Sequence, residues 1–236
     1  MKQLFDIYNM KKILTILLCA SFILTGCGNM SKAGKGALIG AGSGAAAGAG
    51  LGAIIGKDGK SAAIGGALGT AVGAAVGAVI GDVMDKKAAE MAEIEGVQVE
   101  TITDINGLDA IKVTFDSGIL FETGKYALTE VSKVSLSKFA VEMRDLPETD
   151  ITIYGHTDNT GSAAVNERLS LQRAQAVADY LKSLGIAGER MIYEGKSYTE
   201  PVADNSTVEG RRLNRRVEVF ISANETMIKQ AEEGTL

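Results

Sequence analysis

From Gly36 to Gly81 glycine returns at every fourth residue, at Gly36, Gly40, Gly44, Gly48, Gly52 and Gly56, then at Gly65, Gly69, Gly73, Gly77 and Gly81. A step of four is close to one helical turn, so each run lines its glycines along one face. Lys57-Asp58-Gly59-Lys60 separates the runs and reads as a tight turn. The block therefore predicts two helices in an antiparallel hairpin, packed backbone to backbone as small residues allow in lipid. In water such helices are weak, because glycine costs ~1 kcal/mol per position relative to alanine. Gly36–Gly56 and Ser61–Gly81 each hold 21 residues without a charge, which at ~1.5 Å per residue matches the ~30 Å core of a bilayer. Insertion, lying against a membrane and self-association all fit. A flexible low-complexity linker is the alternative, and the strict phase in both runs speaks against it. No aromatic residue occurs between Cys27 and Thr114, so a globular core is predicted only in the C-terminal half.

The first residues read as a targeting signal. Met10-Lys11-Lys12 reads as the true start and a short basic region, and Ile13 to Leu24 is an uncharged stretch of 12 residues, too short to span a bilayer. Leu24-Thr25-Gly26-Cys27 follows and resembles a bacterial lipobox, in which Cys27 takes the lipid and becomes the new N-terminus. That resemblance implies a signal peptide at 1–26, a lipidated tether at 27–35 and, with Gly28 after the cysteine, export to the outer membrane. Processing would take Cys19 away and leave one cysteine, so no internal disulfide is expected. Net charge is −5 with a pI of about 5.1. That balance argues against a nucleic-acid partner, which leaves a basic patch.

Beyond the glycine hairpin at 36–81, the alternating charges of residues 82–96 predict a solvated helical connector. A globular domain is predicted over 97–224, with a polar tail at 225–236. Val97 to Ile105 and Leu108 to Phe115 flank Asn106-Gly107, a strong hairpin signal. Thr129 is placed to cap a helix reaching Leu146, with Val131, Val134, Leu136, Phe139, Ala140 and Met143 as its apolar positions. Ile151 to Tyr154 reads as a central strand. Val165 to Leu184 reads as a second helix with Leu169, Val177, Tyr180, Leu181 and Leu184 facing the core and Gly185 as its C-terminal cap. Strands at Arg190 to Tyr193 and Arg216 to Ile221 close the sheet. The order predicts an α+β sandwich, two main helices on one face of a mixed sheet.

Ile151 to Val177, ITIYGHTDNTGSAAVNERLSLQRAQAV, carries the chemistry. It puts the Asp158 carboxylate in a Gly- and Asn-rich loop after a strand, and the Arg173 guanidinium 15 residues later on a helix. Facing one pocket, the two form a receptor for a zwitterion. The segment resembles the OmpA-like peptidoglycan-binding domain. The likeness begins near VTFDSGILFETGKYAL (Val113 to Leu128), ends at GRRLNRRVEVFI (Gly210 to Ile221) and covers roughly half of the chain. It implies a peptidoglycan stem peptide as ligand, commonly its meso-diaminopimelate residue, with Asp158 accepting from the ammonium and Arg173 gripping the carboxylate. It also implies that Asn166 and Leu169 shape the pocket, that Asp116 and Ser117 border it, and that Thr157 and Asn159 contribute loop hydrogen bonds. Taken alone, Asp158 also fits a turn cap, and Arg173 an ion-pair or solvated position. Arg211, Arg212, Arg215 and Arg216 read as structural partners of nearby carboxylates, and His156 as a structural group hydrogen-bonded behind the loop.

No catalytic residues, cofactor or metal are expected. The single histidine has neither a second metal ligand nor a convincing nucleophile beside it. The glycines form no complete phosphate cradle after a strand. The expectation is a lipid-anchored outer-membrane protein whose C-terminal domain faces the periplasm and holds the wall, touching the membrane through the anchor and the glycine hairpin. The rival is a membrane-active or homo-oligomerising glycine-zipper protein that the wall-binding domain merely locates.

Overall fold

The computed structural model describes residues 73–122 and 124–236. The signal sequence, Cys27, the tether and the glycine block before Gly73 lie outside them.

Strands β1 (Val97–Thr103), β2 (Asp109–Asp116), β3 (Thr149–Gly155), β4 (Met191–Gly195) and β5 (Arg216–Ala223) form one sheet in the order β1-β2-β5-β3-β4. β3 and β4 run parallel, and every other neighbouring pair is antiparallel. The last strand lies inside the sheet, between β2 and β3, rather than at its edge. The helices are α1 (Ala74–Met91), α2 (Ser117–Leu120), α3 (Glu130–Arg144), α4 (Ala163–Ser183), α5 (Val208–Asn214) and α6 (Glu225–Glu233). The chain is thus the expected α+β sandwich on a mixed sheet.

Period-2 alternation builds the core face. Ile111, Val113 and Phe115 of β2, Ile151 and Ile153 of β3, and Val217, Val219 and Ile221 of β5 are all buried together. α3 answers with Leu136, Phe139, Ala140 and Met143, and α4 with Ala174, Val177 and Leu181. Phe115 and Phe139 meet edge to face, with centroids 5.8 Å apart. The local signals behave as read: Thr129 Oγ1 accepts from Ser132 N at 3.1 Å, and Gly185 takes φ +92° at the end of α4. In the β1–β2 turn Gly107 takes φ +77°, and the Asp104 carboxylate accepts from the backbone N–H of Asn106 and Leu108.

Val131 and Val134 do not join the core; they are 67% and 58% exposed. At ~100° per residue they fall more than about 120° from the direction of Leu136, Phe139, Ala140 and Met143. Ser132 and Ser135 take the inner flank instead, their hydroxyls donating to Thr129 O and Glu95 O.

The connector expected to be solvated and the segment read as a polar tail are both packed. α1 crosses the expected connector, and its Ile80, Met84, Ala88 and Met91 are buried in the same core as the sheet. Each large apolar side chain so removed from water contributes about 1.5–3 kcal/mol. The charges that suggested a solvated helix sit on its other faces, and Lys87 bridges Glu90 at 2.7 Å and Glu142 at 3.0 Å. Burial works against the charged ammonium, but the two carboxylates win and push its pKa up to about 12. The tail forms α6, capped by Asn224 and packed beside α1, with Met227, Ile228 and Ala231 buried. α1 and α6 therefore share the core with α3 and α4, and α2 adds Leu120.

Arg190 closes one end of the sandwich. Its guanidinium donates to Thr149 O at 2.7 Å, Leu146 O at 2.7 Å, Met143 O at 3.3 Å and Thr149 Oγ1 at 2.8 Å, which satisfies the last carbonyls of α3. Arg190→Ala removes these four bonds, leaves Leu146 O only the bond from Thr149 Oγ1, and is expected to cost about 2 kcal/mol. Chemical denaturation would show a lower midpoint with an unchanged slope.

Candidate functional site

The site forms where β3 ends and α4 begins. Two glycines let α4 lie directly on the strand ends. A Cβ on Gly155 would sit 2.1 Å from the Ser170 carbonyl oxygen, and one on Gly195 would sit 2.5 Å from Leu171 N. Only glycine permits this approach, and it places the second half of α4 beside the loop that carries Asp158.

Asp158 is 8% exposed. Oδ1 accepts from Thr160 N at 2.8 Å, and Oδ2 accepts from Arg215 Nη1 at 2.6 Å. The turn-capping role and the ion-pair role thus coexist in one carboxylate. Burial works to raise its pKa, but the hydrogen bonds from Arg215 and Thr160 outweigh it and hold the carboxyl below its usual range. Arg173 is 2% exposed. Its Nε donates to Lys125 O at 3.1 Å, and its guanidinium carbon lies 5.1 Å from the Phe121 ring centroid. Burial lowers its pKa to about 10, the Arg215 charge adds to that, and Asp158 opposes it. The group is cationic at neutral pH. Among the described residues no carboxylate lies within ion-pair distance of Arg173, because Asp158 is paired to Arg215. A buried cation in that state attracts an anion.

Asn166 is buried and donates from Nδ2 to Thr160 O at 2.9 Å, which fixes the loop over the start of α4. Leu169 is half-buried one helical turn before Arg173. Thr157 anchors the loop from its other side, its N–H donating to Ser197 O at 2.8 Å, while its buried Oγ1 has no hydrogen-bond partner among the described residues. Asn159 is exposed at the rim, where its N–H reaches Asn205 Oδ1 at 3.4 Å. Asp116 caps α2 through Gly118 N and pairs with Arg212. Ser117 is buried, and its N–H donates to Arg215 O at 3.0 Å. Asp158, Arg173 and Asn166 thus meet in one place, Asp116 and Ser117 adjoin it through Arg215 and Arg212, and Asn159 stands outside.

Arg212, Arg215 and Arg216 each pair with a carboxylate, of Asp116, Asp158 and Glu218. Arg211 instead donates to the carbonyls of Asn205 and Ser206. His156 lies buried behind the loop, but its ring makes no hydrogen bond among the described residues; Nε2 stands 3.5 Å from Glu218 Oε2. Burial is the largest influence on it and keeps the imidazole neutral. Three residues escaped the sequence reading as parts of the site: Phe121 and Lys125, which wall in Arg173, and Asn214. The last is fully buried and holds the 202–205 loop through Val202 N, Ala203 N, Ala203 O and Asn205. Phe121 and Lys125 fall inside the FETGKYAL stretch of the resemblance, which was the available signal.

The described residues contain no group of three His, Cys, Asp or Glu able to hold a metal. The site holds a carboxylate and a buried guanidinium within one loop–helix unit.

Comparison with known proteins bears on the family and the fold. Residues 120–215 match the OmpA family, and residues 10–88 match the YMGG-like Gly-zipper. The peptidoglycan-binding protein ArfA of Mycobacterium tuberculosis is 39% identical over 113 residues, which are 48% of this chain and 35% of that protein. The probable lipoprotein YiaD of Escherichia coli is 34% identical over 141 residues, 60% of this chain and 62% of that one. The chain therefore spans less than two thirds of either curated relative. The cell wall anchor of the T6SS from Pseudomonas aeruginosa superposes with a TM-score of 0.50 at 34% identity, covering 60% of this chain and 97% of that one. By its sheet, its loop–helix motif and these matches, the chain carries an OmpA-family domain at residues 120–215, preceded by a YMGG-like Gly-zipper match at residues 10–88.

Proposed function

We propose that this chain is an outer-membrane lipoprotein that binds the peptide stem of peptidoglycan non-covalently and so tethers membrane to wall. The ligand group is the zwitterionic end of a diaminopimelate-type residue. Its carboxylate meets the Arg173 fork and its ammonium meets Asp158. The observation that carries the reading is the buried Arg173 cation, without an ion-paired carboxylate among the described residues, beside the ionised Asp158. The name of ArfA and that of the P. aeruginosa wall anchor support it, and YiaD supports a lipoprotein. In this reading Cys27 carries the lipid, the domain faces the periplasm, and no bond is made or broken. Modest affinity per copy suffices, because many tethers act in parallel.

Co-sedimentation of the purified chain with sacculi, with and without free diaminopimelate as competitor, tests the reading. Retention that the free amino acid does not reduce would overturn the ligand assignment.

The pH dependence tests the electrostatics. Asp158 must be ionised to hold an ammonium, and its pKa lies below the ordinary carboxylate range. Retention on sacculi is therefore expected to persist through pH 5 and to fall only as the pH drops below that range, near 4. Arg215→Gln removes the charge that holds the carboxyl down and leaves burial to raise it. The acid limb of the binding curve is then expected to move to higher pH. Titration of the ligand's own carboxylate is common to both chains, so the difference between the two curves reports Asp158.

A further inference from the structure

We infer that the second glycine run does not cross a bilayer, because its last two repeats are docked on the chain's own globular domain. The repeat continues into α1 at Gly77 and Gly81. A Cβ at Gly77 would lie 3.9 Å from Leu108 Cδ2, and one at Gly81 would lie 2.7 Å from Asp109 Oδ2. The small-residue face thus lies against the tip of the β1–β2 hairpin, in ordinary contact at Gly77 and in close approach to the Asp109 carboxylate at Gly81. Around it, Ile80 and Met84 are fully buried in the domain core, Thr101 Oγ1 donates to Asp85 Oδ1 at 3.2 Å, and α6 packs along the same helix. The stretch matching the Gly-zipper runs to residue 88, well inside α1.

Docking shortens what is left for lipid. The charge-free stretch from Ser61 to Gly73 holds 13 residues. As a helix it reaches about 20 Å, short of the ~30 Å hydrocarbon core. An extended chain would be long enough, but it would carry unsatisfied backbone groups into lipid. Crossing would require α1 to leave the domain and expose Ile80, Met84, Ala88 and Met91. The second run therefore ends as a strut fixed to the sheet. A symmetric spanning hairpin is excluded while the domain is folded.

The chain contains no tryptophan, so Val72→Trp gives a single fluorophore near the middle of the 61–81 run. In the full chain reconstituted into phosphatidylethanolamine–phosphatidylglycerol vesicles, its emission is expected to be unchanged by lipids brominated at mid-chain. Several-fold quenching by those lipids would overturn the inference. Hydrogen exchange of the unaltered chain is an independent check. Amides of residues 76–91 are expected to exchange as slowly without vesicles, in detergent-free buffer, as with them. Protection that is lost on adding vesicles would equally overturn it. Neither readout involves peptidoglycan, so failure here is distinct from failure of the wall-binding reading.

Discussion

Asp158→Asn is expected to weaken retention on purified sacculi by at least about 30-fold, because removing one partner of a buried charge contact costs about 2–5 kcal/mol, and Arg173→Lys by at least about tenfold, because a hydrogen bond to a charged group is worth about 1.5–3 kcal/mol. Both variants are close in size to the original residue. Lysine keeps the positive charge and most of the aliphatic stem but loses the planar fork that grips a carboxylate with two parallel bonds. It also loses the bond from Nε to Lys125 O. Asparagine keeps an oxygen for the Thr160 N–H but gives up the charge that meets both Arg215 and a ligand ammonium. Stability should change much less than binding. A lost hydrogen bond is worth about 1 kcal/mol, and for a unit of this size that lowers the melting temperature by about 2–4 °C. Sedimentation with sacculi, paired with thermal melts of the same preparations, separates the two effects. If both variants pellet with the wall as the parent does, the zwitterion site is wrongly placed.

The residues that lead to this expectation were readable because they depend on local grammar. An apolar strand, a Gly- and Asn-rich loop and a helix with apolar residues at 3.6-residue spacing place Asp158 and Arg173 within 15 positions of each other. Arg215 was not readable as the partner of Asp158 in the same way. It lies 57 residues further on, and only the pairing of β5 beside β3 brings it in. Phe121 and Lys125 join the site by a tertiary contact of the same kind. The phase of α3 was misjudged at Val131 and Val134 because valine at those positions looks like core, whereas two serines that hydrogen-bond backbone occupy the inner flank. α1 and α6 were hidden by charge. Their buried faces are narrow, five residues in α1 and three in α6, and the surrounding Asp, Glu and Lys mask them in composition. A helix that needs only a thin apolar stripe leaves a weak trace in sequence and a strong one in packing.

The close approach of α4 to the sheet makes Gly155 a position where one methyl group should do severe harm to the fold. A Cβ there would meet Ser170 O at 2.1 Å, Ser170 C at 3.0 Å and Ala174 N at 3.3 Å. All three are backbone atoms, so no side chain can rotate out of the way and α4 itself must move. Overpacking of this kind costs about 1–3 kcal/mol, occasionally more, and the rigidity of the obstacle puts Gly155→Ala at the upper end. At about 2–4 °C per kcal/mol, the melt should drop by roughly 6–12 °C. Arg173 stands three residues beyond Ser170, so the same displacement carries its guanidinium away from Asp158. Binding to sacculi should therefore fall even at temperatures where the variant is fully folded. Gly195→Ala, which meets Leu171 N and Ser170 Oγ at 2.5 Å, should reproduce both losses. Gly188→Ala supplies the control, since its Cβ would meet only the flexible Lys182 side chain at 3.5 Å or beyond, and a change within about 0.5 kcal/mol is expected. A Gly155→Ala chain that melts with the Gly188→Ala control and holds the wall undiminished would show that contact between α4 and the strand ends does not set the geometry of the site.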